Sequence, residues 1–187
     1  MKNALILHGT DFRKTLNQRN NNWFPWLKMH IEALGYNVYL PELPEAWHPD
    51  AERYYKFLIE KFDFNKESVI IGHSSGAAAI LGILDRLPSN VRISTAIMVA
   101  SFVKDRDWQC QGLFKPKLDW QNIKDKAGKF FIVHSDNDPY CPLDDAKFIA
   151  KKVGGKLVIK KGSGHFNLEK GNKYKKFPLI LELLNEK

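Results

Sequence analysis

Apolar and polar positions along the chain follow two alternating rhythms. Short apolar runs fall at residues 4–8, 37–40, 68–72, 93–99, 130–134 and 156–160, and read as β-strands. Between most of them lie longer stretches with helical spacing, at 23–34, 50–62, 75–87, 143–152 and 174–185. Runs such as Ala96-Ile97-Met98-Val99 and Phe130-Phe131-Ile132-Val133 are apolar at every position rather than at every second one. Strands of that kind are covered on both faces. Strands alternating with helices predict βαβ units and a parallel sheet, and right-handed crossovers place helices on both sides. The pattern therefore predicts an α/β fold, a three-layer α/β/α sandwich. No repeat, linker or composition break divides the sequence, so residues 1–187 are expected to form one domain.

Two segments break the rhythm. Residues 9–22 are polar and end in Asn20-Asn21-Asn22, and the 30 residues from 100 to 129 contain Trp108, Phe114, Pro116 and Trp120. Both follow the C-terminal ends of predicted strands, the side on which open α/β sheets bind ligands.

Composition narrows the picture by exclusion. Hydrophobic residues make up 44% and charged residues 27%, a globular balance that excludes a disordered chain. No apolar run approaches the ~20 residues of a membrane-spanning helix. The run at 4–7 is also too short for the core of a signal peptide and reads as a first strand. Cys110 and Cys141 cannot build a disulfide framework, so free thiols in a reducing cytoplasm are expected. No Cys/His ligand spacing points to a metal. Net charge is +8, with 11 basic and 10 acidic residues in the first hundred, which leaves 18 and 11 in the remainder. The excess lysines are scattered or paired, as at Lys151-Lys152 and Lys160-Lys161, and no nucleic-acid-binding motif accompanies them. They read as solvated faces, so nucleic acid is not the expected partner.

The chemistry concentrates in three places. Gly72-His73-Ser74-Ser75-Gly76 matches G-x-S-x-G between a predicted strand and an alanine-rich helix. A sharp strand-to-helix turn strains the backbone at the central serine and lifts its hydroxyl above the sheet, and flanking glycines remove the Cβ atoms that would clash. A serine needs a base to act as a nucleophile. His134-Ser135-Asp136-Asn137-Asp138-Pro139 ends one later strand, and Gly162-Ser163-Gly164-His165-Phe166 follows the next. The order Ser, Asp, His, each beyond a different strand end, is that of a hydrolase triad. Position alone leaves Asp136 and Asp138 both open as the acid. His8, His73 and His134 read as residues that orient loops or pack beside the site. His30 and His48 read as surface or helix-face residues. Trp23, Phe24 and Trp26 read as core, with one of them a possible wall of an acyl pocket.

These motifs, with the early His8-Gly9-Thr10 and the Asn22-Trp23-Phe24-Pro25-Trp26-Leu27 helix, resemble the α/β-hydrolase superfamily. Within it they resemble the small serine hydrolases related to retinoblastoma-binding protein 9 and YdeN. The resemblance implies a minimal fold of about six parallel strands in the order 2-1-3-4-5-6, without a large cap. It implies Ser74 as nucleophile, His165 as base and Asp138 as acid, because the family's acid loop laid on this chain puts the carboxylate at Asp138. A tight turn would give Asp136 the lesser role of capping its own backbone. Backbone N–H groups of Ser75 and Thr10 would form the oxyanion hole. Cleavage of a small or medium acyl ester is the expected reaction, with no cofactor or metal. The absence of a long insertion leaves residues 100–129 as the expected partial cover over a shallow pocket. The rival readings are a non-catalytic interaction protein on the same fold and, behind it, a basic nucleic-acid-associated protein. The Leu-x-Cys-x-Glu retinoblastoma-binding motif is absent.

Overall fold

The computed structural model describes residues 1–14, 17–104, 112–115 and 117–186. Thr15, Leu16, Trp108, Cys110 and Pro116 lie outside them. Six strands form one parallel sheet: β1 (Asn3–Leu7), β2 (Asn37–Tyr39), β3 (Val69–His73), β4 (Ile93–Val99), β5 (Ala127–His134) and β6 (Lys156–Ile159). Their order is β2-β1-β3-β4-β5-β6, and every adjacent pair is parallel. The helices are α1 (Phe24–Ala33), α2 (Ala51–Ile59), α3 (Ser75–Arg86), α4 (Trp120–Asp125), α5 (Leu143–Val153) and α6 (Pro178–Leu184).

The every-position apolar runs are explained by two cores, one on each face of the sheet. Leu5, Leu7, Ile70, Met98, Phe130 and Ile132 point to one side, where α2, α3, α4 and α5 cover them. Their chain neighbours Ala4, Ile6, Ile71, Ile97, Val99, Phe131 and Val133 point to the other, under α1 and α6. The period of two persists within each strand, but both faces are dry. Full burial of each aliphatic side chain contributes about 1.5–3 kcal/mol before entropy is counted.

Three local departures from the sequence reading have physical causes. The helix expected over 174–185 is split. Residues 172–175 form a 3₁₀ turn, and α6 begins at Pro178. Proline suits a helix's first turn, and it drives the residue before it, Phe177 (φ −144°), out of the helical region. The short α4 falls in a segment expected to be loop. Asp119 starts it by accepting from the N–H groups of Gln121 and Asn122, both at 3.0 Å. β5 begins three residues earlier than expected, because Ala127 pairs with Ile93. Among the described residues, α4 is the one helix between β4 and β5, so no large cap stands there.

α3 lies close against the end of β1. A Cβ on Gly76 would sit 2.6 Å from the Leu7 carbonyl oxygen and closer still to that of His8. A Cβ on Gly72 would sit 2.7 Å from the backbone nitrogen of Ala77. These obstacles are backbone atoms and cannot rotate away. Gly76→Ala is therefore expected to destabilise the fold by about 3 kcal/mol or more, the upper end of overpacking penalties. Urea unfolding of the purified variant measures this. A loss below about 1 kcal/mol would mean that α3 can slide along the sheet.

Candidate active site

At the C-terminal edge of the sheet, four chain segments meet. The turn from β3 into α3 gives Ser74 a positive φ (55°, ψ −124°), an unfavourable conformation for a residue with a Cβ. The strain is held from both sides. The Ser74 N–H donates to the Val99 carbonyl at 2.9 Å, and the Ser74 carbonyl accepts from Ala78 N–H at 3.0 Å. Ser75 opens α3, so its own N–H has no partner within the helix.

Asp138 and His165 come from the loops after β5 and β6. His165 Nδ1 lies 2.8 Å from Asp138 Oδ2 and 3.0 Å from Oδ1. Oδ1 also accepts from the N–H groups of Tyr140 (2.9 Å) and Cys141 (3.0 Å). Burial alone would raise the Asp138 carboxyl pKa. The His165 hydrogen bond and charge, with the two N–H groups, outweigh it and hold the carboxyl below its ordinary value. An ionised carboxylate only accepts, so His165 Nδ1 carries the proton and its Nε2 bears the lone pair when the ring is neutral. Asp138, Cys141 and His165 bring ligand-type atoms within 4.8 Å of one another. Their contacts are nevertheless those of a hydrogen-bonded acid–imidazole pair, with both carboxylate oxygens already engaged.

The two loops are joined by more than this pair. Asp136 Oδ1 accepts from Gly162 N–H at 2.7 Å, Ser135 Oγ from Ser163 N–H at 2.9 Å, and Asn137 Oδ1 from Gly164 N–H at 2.8 Å. Asp136 therefore reaches across to the histidine loop, where the sequence suggested a cap on its own turn. Three carbonyls of the histidine loop are held as well. Tyr174 Oη donates to Ser163 O (2.8 Å), His73 Nε2 to His165 O (2.7 Å) and Trp23 Nε1 to Phe166 O (3.0 Å). Ser135, Asn137, Tyr174 and the indole of Trp23 were not among the residues the sequence singled out for these contacts. The one local signal is a run of short polar side chains 26 to 28 residues before a glycine-rich loop.

Ser74, His73 and His165 line a cavity of about 630 Å³, together with Gly9, Thr10, Phe12, Arg13, Tyr140 and Leu168. Further polar walls come from Gln18, Asn21, Asn22, Asn167 and Glu169. Trp23, Phe24 and Trp26 do not line it: Trp23 and Phe24 are buried and Trp26 packs against that same core. The expected cover also moves. Phe114 and Trp120 pack on the opposite core, and, among the described residues, 9, 10, 12, 13, 18, 21 and 22 form the rim with 167–169. Tyr140 stands edge-on to His165, with ring centroids 4.9 Å apart, and its hydroxyl donates to Glu169. Thr10 Oγ1 donates to Ser75 Oγ at 2.8 Å.

Three further histidines are buried beneath these loops. His8 Nδ1 donates to Gly9 O (2.7 Å) while its Nε2 accepts from Leu43 N–H (2.9 Å). His134 Nε2 donates to Cys141 O (2.8 Å). Desolvation lowers the pKa of His8 and His134. Desolvation, then the His165 charge, lowers that of His73 from 6.5 to about 3. A histidine that resists protonation when folded lets the unfolded chain bind more protons. Its stabilising effect is complete above about pH 6.5 and is lost as pH falls toward 3. For His73 the expected slope approaches about 1.4 kcal/mol per pH unit within that window. Urea unfolding between pH 7.5 and 4.5 should reveal it, and His73→Gln should flatten the curve by one proton. An equally steep curve in the variant would place the proton uptake elsewhere.

A family model described as serine hydrolase matches residues 4–186. The YdeN protein of Bacillus subtilis (strain 168) is 26% identical over 190 residues, covering 98% of this chain and 94% of that protein. The serine hydrolase RBBP9 of Rattus norvegicus is 23% identical over 150 residues, 78% of each chain. The crystal structure of the B. subtilis ydeN product superposes with a TM-score of 0.87 at 24% identity, covering 98% of this chain and 97% of that one. A meta-cleavage product hydrolase of Pseudomonas fluorescens, CumD, shares the fold with a TM-score of 0.69 at 13% identity, covering 99% and 91%. With its sheet order, its strained serine and its acid–imidazole pair, the chain belongs to the serine hydrolase family and is built on the α/β-hydrolase fold.

Proposed function

We propose that this hydrolase cleaves esters of small or medium acyl groups through Ser74, His165 and Asp138. One observation carries the reading. A serine on a strained turn and an imidazole bound to a buried carboxylate form walls of the same cavity. Ser74 Oγ attacks the ester carbonyl while His165 Nε2 takes its proton. The tetrahedral oxyanion is received by the N–H groups of Ser75 and Thr10. The alkoxide leaves with the proton from His165, and water attacks the acyl-serine by the same route to release a carboxylic acid. Asp138 keeps the imidazole in the required tautomer and stabilises its charged form. This sequence needs no metal or cofactor.

A cavity of about 630 Å³ suits a small or medium acyl group. Phe12 and Leu168 supply the apolar contacts. No helix among the described residues is long and apolar enough to cross a membrane.

A fluorophosphonate probe should label Ser74, and aryl esters of increasing acyl length should show a preference for short chains. Ser74→Ala should abolish labelling and lower kcat by ~10⁴–10⁶ with the fold intact, since it removes one oxygen atom and leaves the backbone hydrogen bonds of the turn in place. Asp138→Asn should lower kcat by up to ~10⁴. Asp136→Ala removes only the Gly162 hydrogen bond, so it should cost about 1 kcal/mol of stability and far less rate. Collapse of kcat in the Asp136 variant with near-normal Asp138→Asn would reverse the two roles. A folded protein that takes no label would favour a non-catalytic binding role.

A further inference from the structure

The two N–H groups assigned to the oxyanion belong to segments 65 residues apart. The parallel ladder of β1 and β3, whose last pair is Leu7 with Gly72, brings the two segments side by side, but both residues lie three positions beyond its end, and a hydrogen-bonded oxyanion tolerates little error in their spacing. The structure supplies one direct side-chain link between those two residues, the 2.8 Å hydrogen bond from Thr10 Oγ1 to Ser75 Oγ.

We propose that the Thr10 and Ser75 hydroxyls form a clamp that sets the separation of the two oxyanion-binding amides, which makes the Thr10 side chain a positioning residue for the transition state. The inference rests on the esterase reading and adds a residue function to it.

The surroundings of Thr10 suit that role. On one side, His8 donates to the Gly9 carbonyl and accepts from Leu43. On the other, the Asp11 N–H donates to the Ala46 carbonyl at 3.1 Å. The loop is thus fastened to residues 43–46, which are not part of α3. Gly9 allows it to rest on the elbow, where a Cβ would meet that of Ser74 at 3.1 Å. These contacts, with α3 resting at Gly76 on the Leu7 and His8 carbonyls, bring Thr10 near Ser75, and the hydroxyl pair is the side-chain link that joins the two residues. Ser75 is only 1% exposed, so water does not readily replace Thr10 as its partner. The anchors at His8 and Asp11 do not involve the Thr10 side chain, so the loop should remain folded without the hydroxyl.

Thr10→Val, which keeps the shape and removes the hydroxyl, tests this in the full-length protein. A short-chain aryl ester is the substrate, and an alkyl boronic acid mimics the tetrahedral state. Thr10→Val should lower kcat by ~10- to 100-fold, the scale of a lost or misplaced oxyanion donor, with KM nearly unchanged. The boronate inhibition constant should rise by the same factor, and Thr10→Ser should restore most of the rate. Ser75→Ala should give a similar loss, and the double variant should be no worse than either single one. A wild-type kcat in Thr10→Val overturns the clamp, as do losses that multiply in the double variant or boronate binding that stays tight. Failure of the fluorophosphonate to label wild-type protein would instead overturn the esterase reading, and the clamp with it.

Discussion

The carboxylate–imidazole pair depends on a polar seam between two loops. Four consecutive side chains, Ser135 to Asp138, take four consecutive N–H donors, from Gly162 to the imidazole of His165. A loop leaving a sheet edge has backbone donors that no strand satisfies, and burying them unpaired would cost more than most single contacts return. Short acceptors one residue apart resolve that problem and fix the loop at once. The histidine is then not a flexible side chain looking for an acid. Its backbone is set before its ring is, and the loss of entropy on forming the pair is correspondingly small.

The seam holds one edge of the histidine loop, and the opposite edge is tied to the rest of the molecule. Trp23 reaches Phe166 across 143 residues of sequence and Tyr174 reaches Ser163 across 11. Both donors sit on aromatic bodies buried with Phe166 and Phe177 in the core on the α1–α6 side. Packing of that core and placement of the base are therefore the same event. The other core, around α3, does the equivalent for the serine: it is compact because Gly72 and Gly76 let the helix approach backbone to backbone.

The sequence made some of this legible for local reasons. Strand periodicity, the glycines of the elbow and the placement of Ser74, Asp138 and His165 beyond strand ends are short-range signals, and the strand order came from family resemblance. Pro178 is visible too, but the apolar spacing on either side of it runs on as one helix and hides the restart that the proline imposes. The seam was not legible. Nothing within residues 135–137 says that their partners lie 26 to 28 positions away, and a turn offers an aspartate a nearer use. The rim was misread for a related reason. Phe114 and Trp120 are large and sit in a long connection, but aromatic bulk records burial without recording which face of the sheet it covers. Polar residues less conspicuous by composition, among them Thr10, Arg13, Gln18 and Asn21, stand at the cavity.

The buried histidines show why the supports of such a site are imidazoles. His8, His73 and His134 each end a strand or follow one, and each donates one N–H to a loop carbonyl: His8 and His134 within their own loops, to Gly9 and Cys141, and His73 across to His165. A lysine or arginine could reach the same carbonyls, but its charge would be buried within a few ångströms of His165. A fixed cation there would oppose protonation of the base and weaken its pairing with Asp138. An amide side chain would lack the flat ring that packs between Trp23, Phe24 and His165, as His73 does. A neutral imidazole avoids both faults, since it is a rigid donor with an apolar body and no charge at neutral pH. Its weakness is acid: once the unfolded chain can take up those protons, the same residues that order the loops favour unfolding. The fold thus accepts sensitivity to low pH as the physical consequence of keeping charge away from the base.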